Sequence, residues 1–335
     1  MHKIFRIGML GCGGIANAHA ANLSKHPRAE LVAFCDVDGK RTAQFNKDYA
    51  GGGAAEFSDH RQMFDKARLD AVWICLPPFA HNGQLEAAAQ RGIHVFVEKP
   101  IGLDMKRAES MMAAAKKAKI KTQVGFMNRF GSAIEKLKSE MDSGRAGKPG
   151  LMQVRYFCNS LHAPWWREKS KSGGQIIEQI IHSYDLTRYL FGKAGSIYTY
   201  ATNQFHQKVE RYTSEDLSAS VIVFESGAVA TVTGCNGAIP GQWINDYRVV
   251  TEFLTAEFSN ANHAVFYDTR NHENVEKFSV ESSRHLFRCE SDDLFDAIDK
   301  NRDTRCPVHD AAKTQRLVLA ACESAAKGKP IQLGI

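Results

Sequence analysis

The chain has no CxxC pair: its eight cysteines, at positions 12, 35, 75, 158, 235, 289, 306 and 322, are widely separated. That spacing indicates neither a zinc cluster nor a dense disulfide framework, and it suits a reducing, cytoplasmic setting. No stretch reaches the roughly 18 consecutive apolar residues of a membrane span. The opening "MHKIFRIGML" sets a basic residue before apolar ones, as a signal peptide does. Its apolar run is too short for one and leads straight into glycines, so it reads as a first strand. A basic block or arm is also missing. The 43 Lys and Arg residues against 37 Asp and Glu give a net charge of +6 spread along the chain, a weak attraction for an anionic ligand and no footprint for nucleic acid. Internal repeats and low-complexity tracts are absent. What remains, 335 residues with 44% hydrophobic and 24% charged, excludes disordered and fibrous classes and is long enough for two globular domains.

The first 125 or so residues alternate strand-like and helix-like segments. "KIFRIGML", "ELVAFCD", "LDAVWICLP", "HVFVEKP" and "KTQVGF" read as strands, with "NAHAANLSKH", "GKRTAQFNKDY", "HNGQLEAAAQRG" and "DMKRAESMMAAAKKAK" as the helices between them. "GGGAAEF" at 51–57 reads as a loop. Strict alternation builds a doubly wound parallel sheet with helices on both faces. Beyond about residue 150 strand follows strand, from "LMQVRYFCNS" to "EKFSVES", which predicts an α/β domain with a large, mostly antiparallel sheet. The expected division is therefore 1–125 and 126–335, with helical segments again from about 290.

"GMLGCGGIANAH" supplies G-x-G-x-x-A at Gly11, Gly13 and Ala16, after a strand and before a helix. Gly11 permits the tight turn, Gly13 lets the backbone approach a pyrophosphate, and Ala16 allows close helix packing. The helix N-terminus then offers free amides to the phosphates. Asp36 ends the second strand, where a carboxylate takes the adenosine ribose hydroxyls and disfavours a 2′-phosphate. NAD is thus expected over NADP, with Arg41 close enough in sequence to weaken the preference.

"GGQIIEQIIHSYDLTRYLFG" at 173–192 reads as a buried helix carrying Glu178, His182 and Asp185 at helical spacing on one face. His182 suits a general base, with an ordinary pKa near 6.5. The bland reading of the Glu/His pair is a hydrogen-bonded surface contact. Asp185 reads equally as a relay member and as a buried helix contact. Glu178 and His182 find no convincing third ligand, so no metal is expected. Trp165, Trp166 and Arg167 in "LHAPWWREKSKSGG" suit either a lid over sugar and nicotinamide or an aromatic seam. His162, His206 and His285 carry no pattern.

At "HVFVEKPIG", residues 94–102, the chain resembles the Gfo/Idh/MocA family of glucose–fructose oxidoreductase and inositol dehydrogenase relatives. The Glu98-Lys99-Pro100 tripeptide after a strand is that family's hallmark. The resemblance continues through "WICLPPFAHNGQLEAAAQRG", "VGFMNRF", "SGGQIIEQIIHSYDLTRYLFG" and "CESAAKGKPIQL", nearly the whole chain. It implies an N-terminal Rossmann domain, a second α/β domain whose open sheet pairs subunits into a homodimer or homotetramer, a final segment of about 290–335 that packs back on the first domain, and NAD as cofactor. Cofactor contacts are implied at Gly11, Gly13, Gly14, Ile15, Ala16 and Asp36, at Leu76, Pro77 and His81, and at Glu98, Lys99 and Trp166. Lys99, Glu178 and His182 are implied to gather around nicotinamide and the substrate hydroxyl. Asn128, Arg129, Trp165 and Arg167 resemble substrate-pocket positions. Glu178 departs from the family, where Asp is commoner, and its extra methylene moves the carboxylate by about an ångström.

The activity so expected is oxidation of a secondary hydroxyl on a sugar, cyclitol or sugar derivative by hydride transfer. Two other readings stand beside it: a redox-neutral cleavage of glycosides by transient oxidation and elimination, and a non-enzymatic nucleotide sensor.

Overall fold

The computed structural model describes residues 3–334. In chain order the first elements are β1 (Phe5–Leu10), α1 (Gly14–Leu23), β2 (Ala29–Cys35), α2 (Gly39–Ala50), β3 (Ala55–Phe57), α3 (His60–Lys66), β4 (Ala71–Ile74), α4 (Gln84–Ala89), β5 (His94–Val97), α5 (Met105–Ala118) and β6 (Thr122–Val124). The strands pair in parallel in the order β3-β2-β1-β4-β5-β6. Buried on both faces, β4 and β5 are runs of apolar residues rather than alternations. Aspartates start the helices where the sequence leaves backbone amides unpaired: Asp38, Asp59 and Asp104 accept from Lys40 N, Gln62 N and Arg107 N at 3.0, 3.0 and 2.8 Å. Part of the 51–57 segment expected as loop is β3, a three-residue edge strand against β2. Its exposed alanine and glutamate give no apolar periodicity to read.

The chain continues with α6 (Ser132–Asp142), β7 (Pro149–Cys158), α7 (Pro164–Arg167), α8 (Lys169–Ser172), α9 (Gln175–Glu178), α10 (Ile181–Phe191), β8 (Ala194–Thr202), β9 (Leu217–Phe224), β10 (Val229–Asn236), β11 (Ile244–Thr251), β12 (Leu254–Asn260), β13 (His263–Asp268), β14 (Glu276–Val280), α11 (Leu286–Asp299), α12 (Val308–Lys327) and β15 (Ile331–Gln332). Nine strands form the second sheet in the order β14-β13-β12-β11-β7-β10-β9-β8-β15, antiparallel except for β7 with β10. No helix among the described residues is long and apolar enough to cross a membrane.

The chain divides into two compact units, one of residues up to Met127 with His285–Ala312, the other of Asn128–Arg284 with residues from Lys313 onward. The segment from about 290 is therefore split. α11 belongs to the first unit, where Phe295 stacks on Phe5 at 4.6 Å between ring centroids and lies 5.8 Å from Trp73. β15 instead extends the second sheet along β8.

In the second unit the predicted single helix at 175–191 is two. Gln179 N and Ile180 N both bond to Gln175 O, at 3.0 Å each, a wide turn that resets the helical register between α9 and α10. Ile180, 0% exposed, is the residue at the break, and Gly234 of β10 makes room for it: a Cβ there would overlap the Ile180 Cδ1. Further along α10, Asp185 pairs with Arg129, both side chains 1% exposed, through Nε–Oδ2 at 2.7 Å and Nη2–Oδ1 at 2.5 Å. Thr314 of α12 donates a third hydrogen bond to Asp185 at 2.8 Å. Removing one partner of such a pair strands the other's charge in the interior. Arg129→Met is expected to lower unfolding stability by about 3–5 kcal/mol, and chemical denaturation followed by circular dichroism measures it.

Candidate functional site

In the first unit the sheet order reverses between β1 and β4, and the glycine turn lies at the carboxyl end of β1, where such sheets bind ligands. Gly11 has φ +88°, and a Cβ on it would stand 2.5 Å from the Cys75 carbonyl after β4. Only glycine fits there. Beyond it, a Cβ on Gly13 or Gly14 would meet nothing within 4 Å. The helix α1 therefore opens with no side chain capping it and no acid in its first turn, leaving its amides for an anion. Ala16 is buried and Ile15 exposed.

Asp36 closes the same turn: its Oδ2 accepts from Cys12 N at 2.8 Å and its Oδ1 from Asp38 N at 2.9 Å. The carboxylate is thus aimed by the glycine loop itself. Burial and the Asp36 charge push the Cys12 thiol up to about 12, so it stays protonated beside the loop. Arg41 stands 3.5 Å from Asp38 Oδ2. This donor set, an open glycine turn with an oriented acid at the next strand end, fits a dinucleotide.

Leu76 and Pro77 follow β4, and His81 ends the short turn after them. Burial, with the nearby Arg107 charge, lowers the His81 pKa to about 4, so its ring is neutral at neutral pH. Lys99 follows β5, half-buried. Glu98, expected as a cofactor contact, turns inward. It is 5% exposed, meets His19 Nε2 at 2.7 Å through Oε1 and accepts from Lys99 N at 3.1 Å through Oε2. Gly125 leaves the space, since a Cβ there would lie 2.8 Å from Glu98 Oε1. The glutamate of the tripeptide holds the turn that presents Lys99.

The second unit holds the other residues that the sequence singles out. Trp166 Nε1 donates to Glu178 Oε2 at 2.6 Å, so the indole named in the sequence fixes the carboxylate named beside it. His182, 8% exposed, lies in the first turn of α10. The hydrogen-bond register of the helix resets between Glu178 and His182, and Asp185 is withdrawn into its pair with Arg129. Arg129, expected at the substrate, serves as that buried counter-charge. Arg167 donates to the carbonyls of Leu161 at 2.8 Å and His162 at 3.3 Å and so shapes its own turn. Trp165 is half-exposed. Asn128 is buried, with its Nδ2 lacking a hydrogen-bond partner among the described residues.

The surroundings of Glu178 include residues that sequence reasoning passed over. His162 lies 4.2 Å from the Trp166 ring centroid, and its Nε2 is 2.8 Å from Gln179 Nε2. Burial pulls the His162 pKa down, against the pull of Glu178. Burial raises that of Tyr156, with the Glu178 charge adding to it. These residues come from β7 and the loop after it, and no spacing in the sequence ties them to α9. Among the described residues no group of three His, Cys, Asp or Glu side chains is placed to hold a metal ion.

The first unit is a Rossmann fold with an open dinucleotide turn, and the second is an α/β unit that holds Glu178 and His182. The family profile described as "Oxidoreductase family, NAD-binding Rossmann fold" matches residues 5–126, and that described as "GFO/IDH/MocA C-terminal domain" matches residues 134–253. The chain belongs to the Gfo/Idh/MocA family of NAD-binding oxidoreductases. It is 28% identical to scyllo-inositol 2-dehydrogenase (NAD(+)) of Bacillus subtilis (strain 168), over 100% of this chain and 97% of that protein. It is 26% identical to the uncharacterized oxidoreductase YrbE of the same organism, over 99% and 98%. Its fold is that of levoglucosan dehydrogenase in complex with NADH and L-sorbose, with a TM-score of 0.91, 19% identity and 99% of each chain covered.

One buried acid in the first unit stands outside this inventory. Glu290 of α11 is 0% exposed, with neither carboxyl oxygen hydrogen-bonded among the described residues. Burial first, then the charges of Glu98 and Asp293, raise its pKa well above the ordinary carboxyl value. The folded state therefore keeps a proton that the unfolded chain releases above about pH 4.5. Stability from this group is present below that pH and falls as pH rises toward the folded pKa, by at most about 1.4 kcal/mol per pH unit. Glu290→Gln is accordingly expected to gain thermal stability over the wild type progressively from pH 5 to pH 8. Melting temperatures across that range check it, and a constant difference refutes it.

Proposed function

We propose that the protein is an NAD-dependent dehydrogenase that oxidises a secondary hydroxyl of a sugar, a cyclitol or a sugar derivative. The observation that carries this reading is the Glu178 carboxylate locked by the Trp166 indole four residues before His182. An oriented acceptor, a titratable ring and an aromatic surface together suit a polyhydroxylated ring with one apolar face. The polyol-oxidising names of the relatives support the substrate class.

Oxidising a secondary alcohol removes a hydride from carbon and a proton from oxygen. The bound dinucleotide supplies the hydride acceptor. Gly11, Gly13, Gly14, Ile15 and Ala16 would hold its phosphates, Leu76, Pro77 and His81 would line its approach, and Asp36 would take the ribose hydroxyls and repel a 2′-phosphate, which favours NAD. His182 takes the hydroxyl proton. The Lys99 ammonium, presented by the turn that Glu98 fixes, hydrogen-bonds the oxygen as negative charge grows on it. Glu178 accepts from a neighbouring hydroxyl and so sets which carbon reacts. Asn128 and Trp165 contribute to substrate binding.

The test is NADH absorbance with NAD⁺ or NADP⁺ and a panel of inositols, aldoses, anhydrosugars and glycosides. One group of polyols is expected to reduce NAD⁺. Lys99→Ala and His182→Ala are expected to lower kcat by about 10²–10⁴-fold. Glycoside consumed without NADH accumulating, or silence from every polyol with Lys99→Ala indistinguishable from wild type, would sink the proposal.

We also infer that the uncovered face of the second sheet pairs with another copy of the chain. Tyr198 and Tyr200 on β8 and Val221 and Val223 on β9 are 42%, 63%, 43% and 42% exposed, and Tyr198 pairs directly with Val221. Contiguous apolar exposure on one sheet face is typical of an interface. Light scattering is expected to show an oligomer for the wild type and a smaller species for Val221→Arg; a monomeric wild type refutes it.

A further inference from the structure

We propose that Glu215 is a positioning residue for the reaction: its buried carboxylate clamps the start of α9 and thereby sets where Glu178 and His182 stand. Glu215 belongs to Thr213-Ser214-Glu215-Asp216, a polar strap ahead of β9 in which each side chain holds a different neighbour. Thr213 Oγ1 accepts from Lys169 N at 2.8 Å, and Ser214 Oγ donates to the Trp166 carbonyl at 3.1 Å. Asp216, 0% exposed, accepts the backbone N–H groups of Gln204, Phe205 and His206 at 2.8, 2.7 and 3.0 Å. Glu215 itself is 4% exposed. Its Oε1 accepts from Ile176 N at 2.8 Å, and its Oε2 lies 3.0 Å from the Lys169 ammonium.

The strap therefore grips both the turn carrying Trp166 and the helix carrying Glu178, the two partners of the 2.6 Å indole–carboxylate bond. The glycine pair before α9 is shaped to receive it. Gly174 has φ +92°, and a Cβ there would stand 2.6 Å from Glu215 Oε1. Gly173 has φ +84°, and a Cβ there would stand 2.8 Å from Ile177 Cγ2. A buried charge is a costly way to cap one amide, yet it fixes orientation more tightly than a neutral group, because a charge-assisted bond is shorter and stronger. The lever is short. Glu178 lies two residues beyond the clamped amide, and a shift of about an ångström at reacting groups costs up to about 10²-fold in rate.

The kinetic arm of the test rests on the proposed dehydrogenase activity; the exchange arm does not. Glu215→Ala, Glu215→Gln and Lys169→Met are made in the full chain. Amide hydrogen exchange over 174–180 is measured, with kcat, KM, the pH profile of kcat and the affinity for NAD⁺. Glu215→Ala is expected to speed exchange in 174–180 by at least about tenfold while β9 and β10 stay protected, to lower kcat by about 10–100-fold, to shift the acidic limb of the pH profile, and to hold NAD⁺ affinity within about twofold. Glu215→Gln keeps an acceptor for Ile176 N and is expected to restore most of kcat, with Lys169→Met intermediate. Should Glu215→Ala not fold, the other two variants carry the comparison. Unchanged exchange overturns the clamp, and faster exchange with kcat and pH profile intact reduces Glu215 to a structural residue. A wild type inactive on every polyol, with exchange responding as expected, refutes the dehydrogenase reading and leaves the clamp standing.

Discussion

A carboxylate taken out of water must find its counter-charge inside the protein, and Asp185 meets that requirement in a way that organises the second unit. Arg129 reaches it from the short turn before α6, Thr314 from α12, and Arg188 one turn along α10 donates to Thr314 at 3.0 Å. Three segments are thereby held at one point. The guanidinium also lies 4.7 Å from the Tyr189 ring centroid, so its flat face is covered as well as its donors. With α10 fixed at Asp185, the start of that helix, and His182 in it, has little freedom to move. The ion pair has more value as a constraint on geometry than as a source of net stability, because desolvation offsets most of the Coulombic gain.

The opposite end of the same segment is fixed by different means. Ile180 seats over Gly234, and the chain makes its wide turn at Gln179 and Ile180, between α9 and α10. A straight helix would have placed Glu178 and His182 along one line. The break lets each have its own surroundings, an indole and a phenol for the carboxylate, the first turn of α10 for the histidine. Separate environments are how two titratable groups close in sequence come to do different work.

In the first unit the same economy of local rules holds. Gly11 is required by a carbonyl behind it, Gly125 by a carboxylate, and Asp36 is oriented by the loop it follows. Each is a backbone-level demand, and such demands are what glycine and short acids answer.

That difference separates what was legible from what was not. The alternation of strands and helices, the glycine turn with Asp36, the Glu98-Lys99-Pro100 turn and the change to an antiparallel sheet all depend on neighbours in sequence, so the sequence by itself determined the parallel sheet followed by a mostly antiparallel one, the dinucleotide turn and the family. The contacts that fix α9 and α10 in the second unit join residues far apart: 56 positions from Arg129 to Asp185, 39 from Ile176 to Glu215. The helix break was hidden for the same reason. Nothing in "QIIEQIIHSYDL" interrupts helical periodicity, and Gly234, which leaves room for Ile180 at the break, lies on a strand more than fifty residues later. Only the tertiary structure decided that Arg129 and Asp185 are an anchor, that Glu98 faces inward and that Glu215 meets α9. Burial is a property of the packed chain, and it is burial that turns an exposed-looking charge into a fixed one.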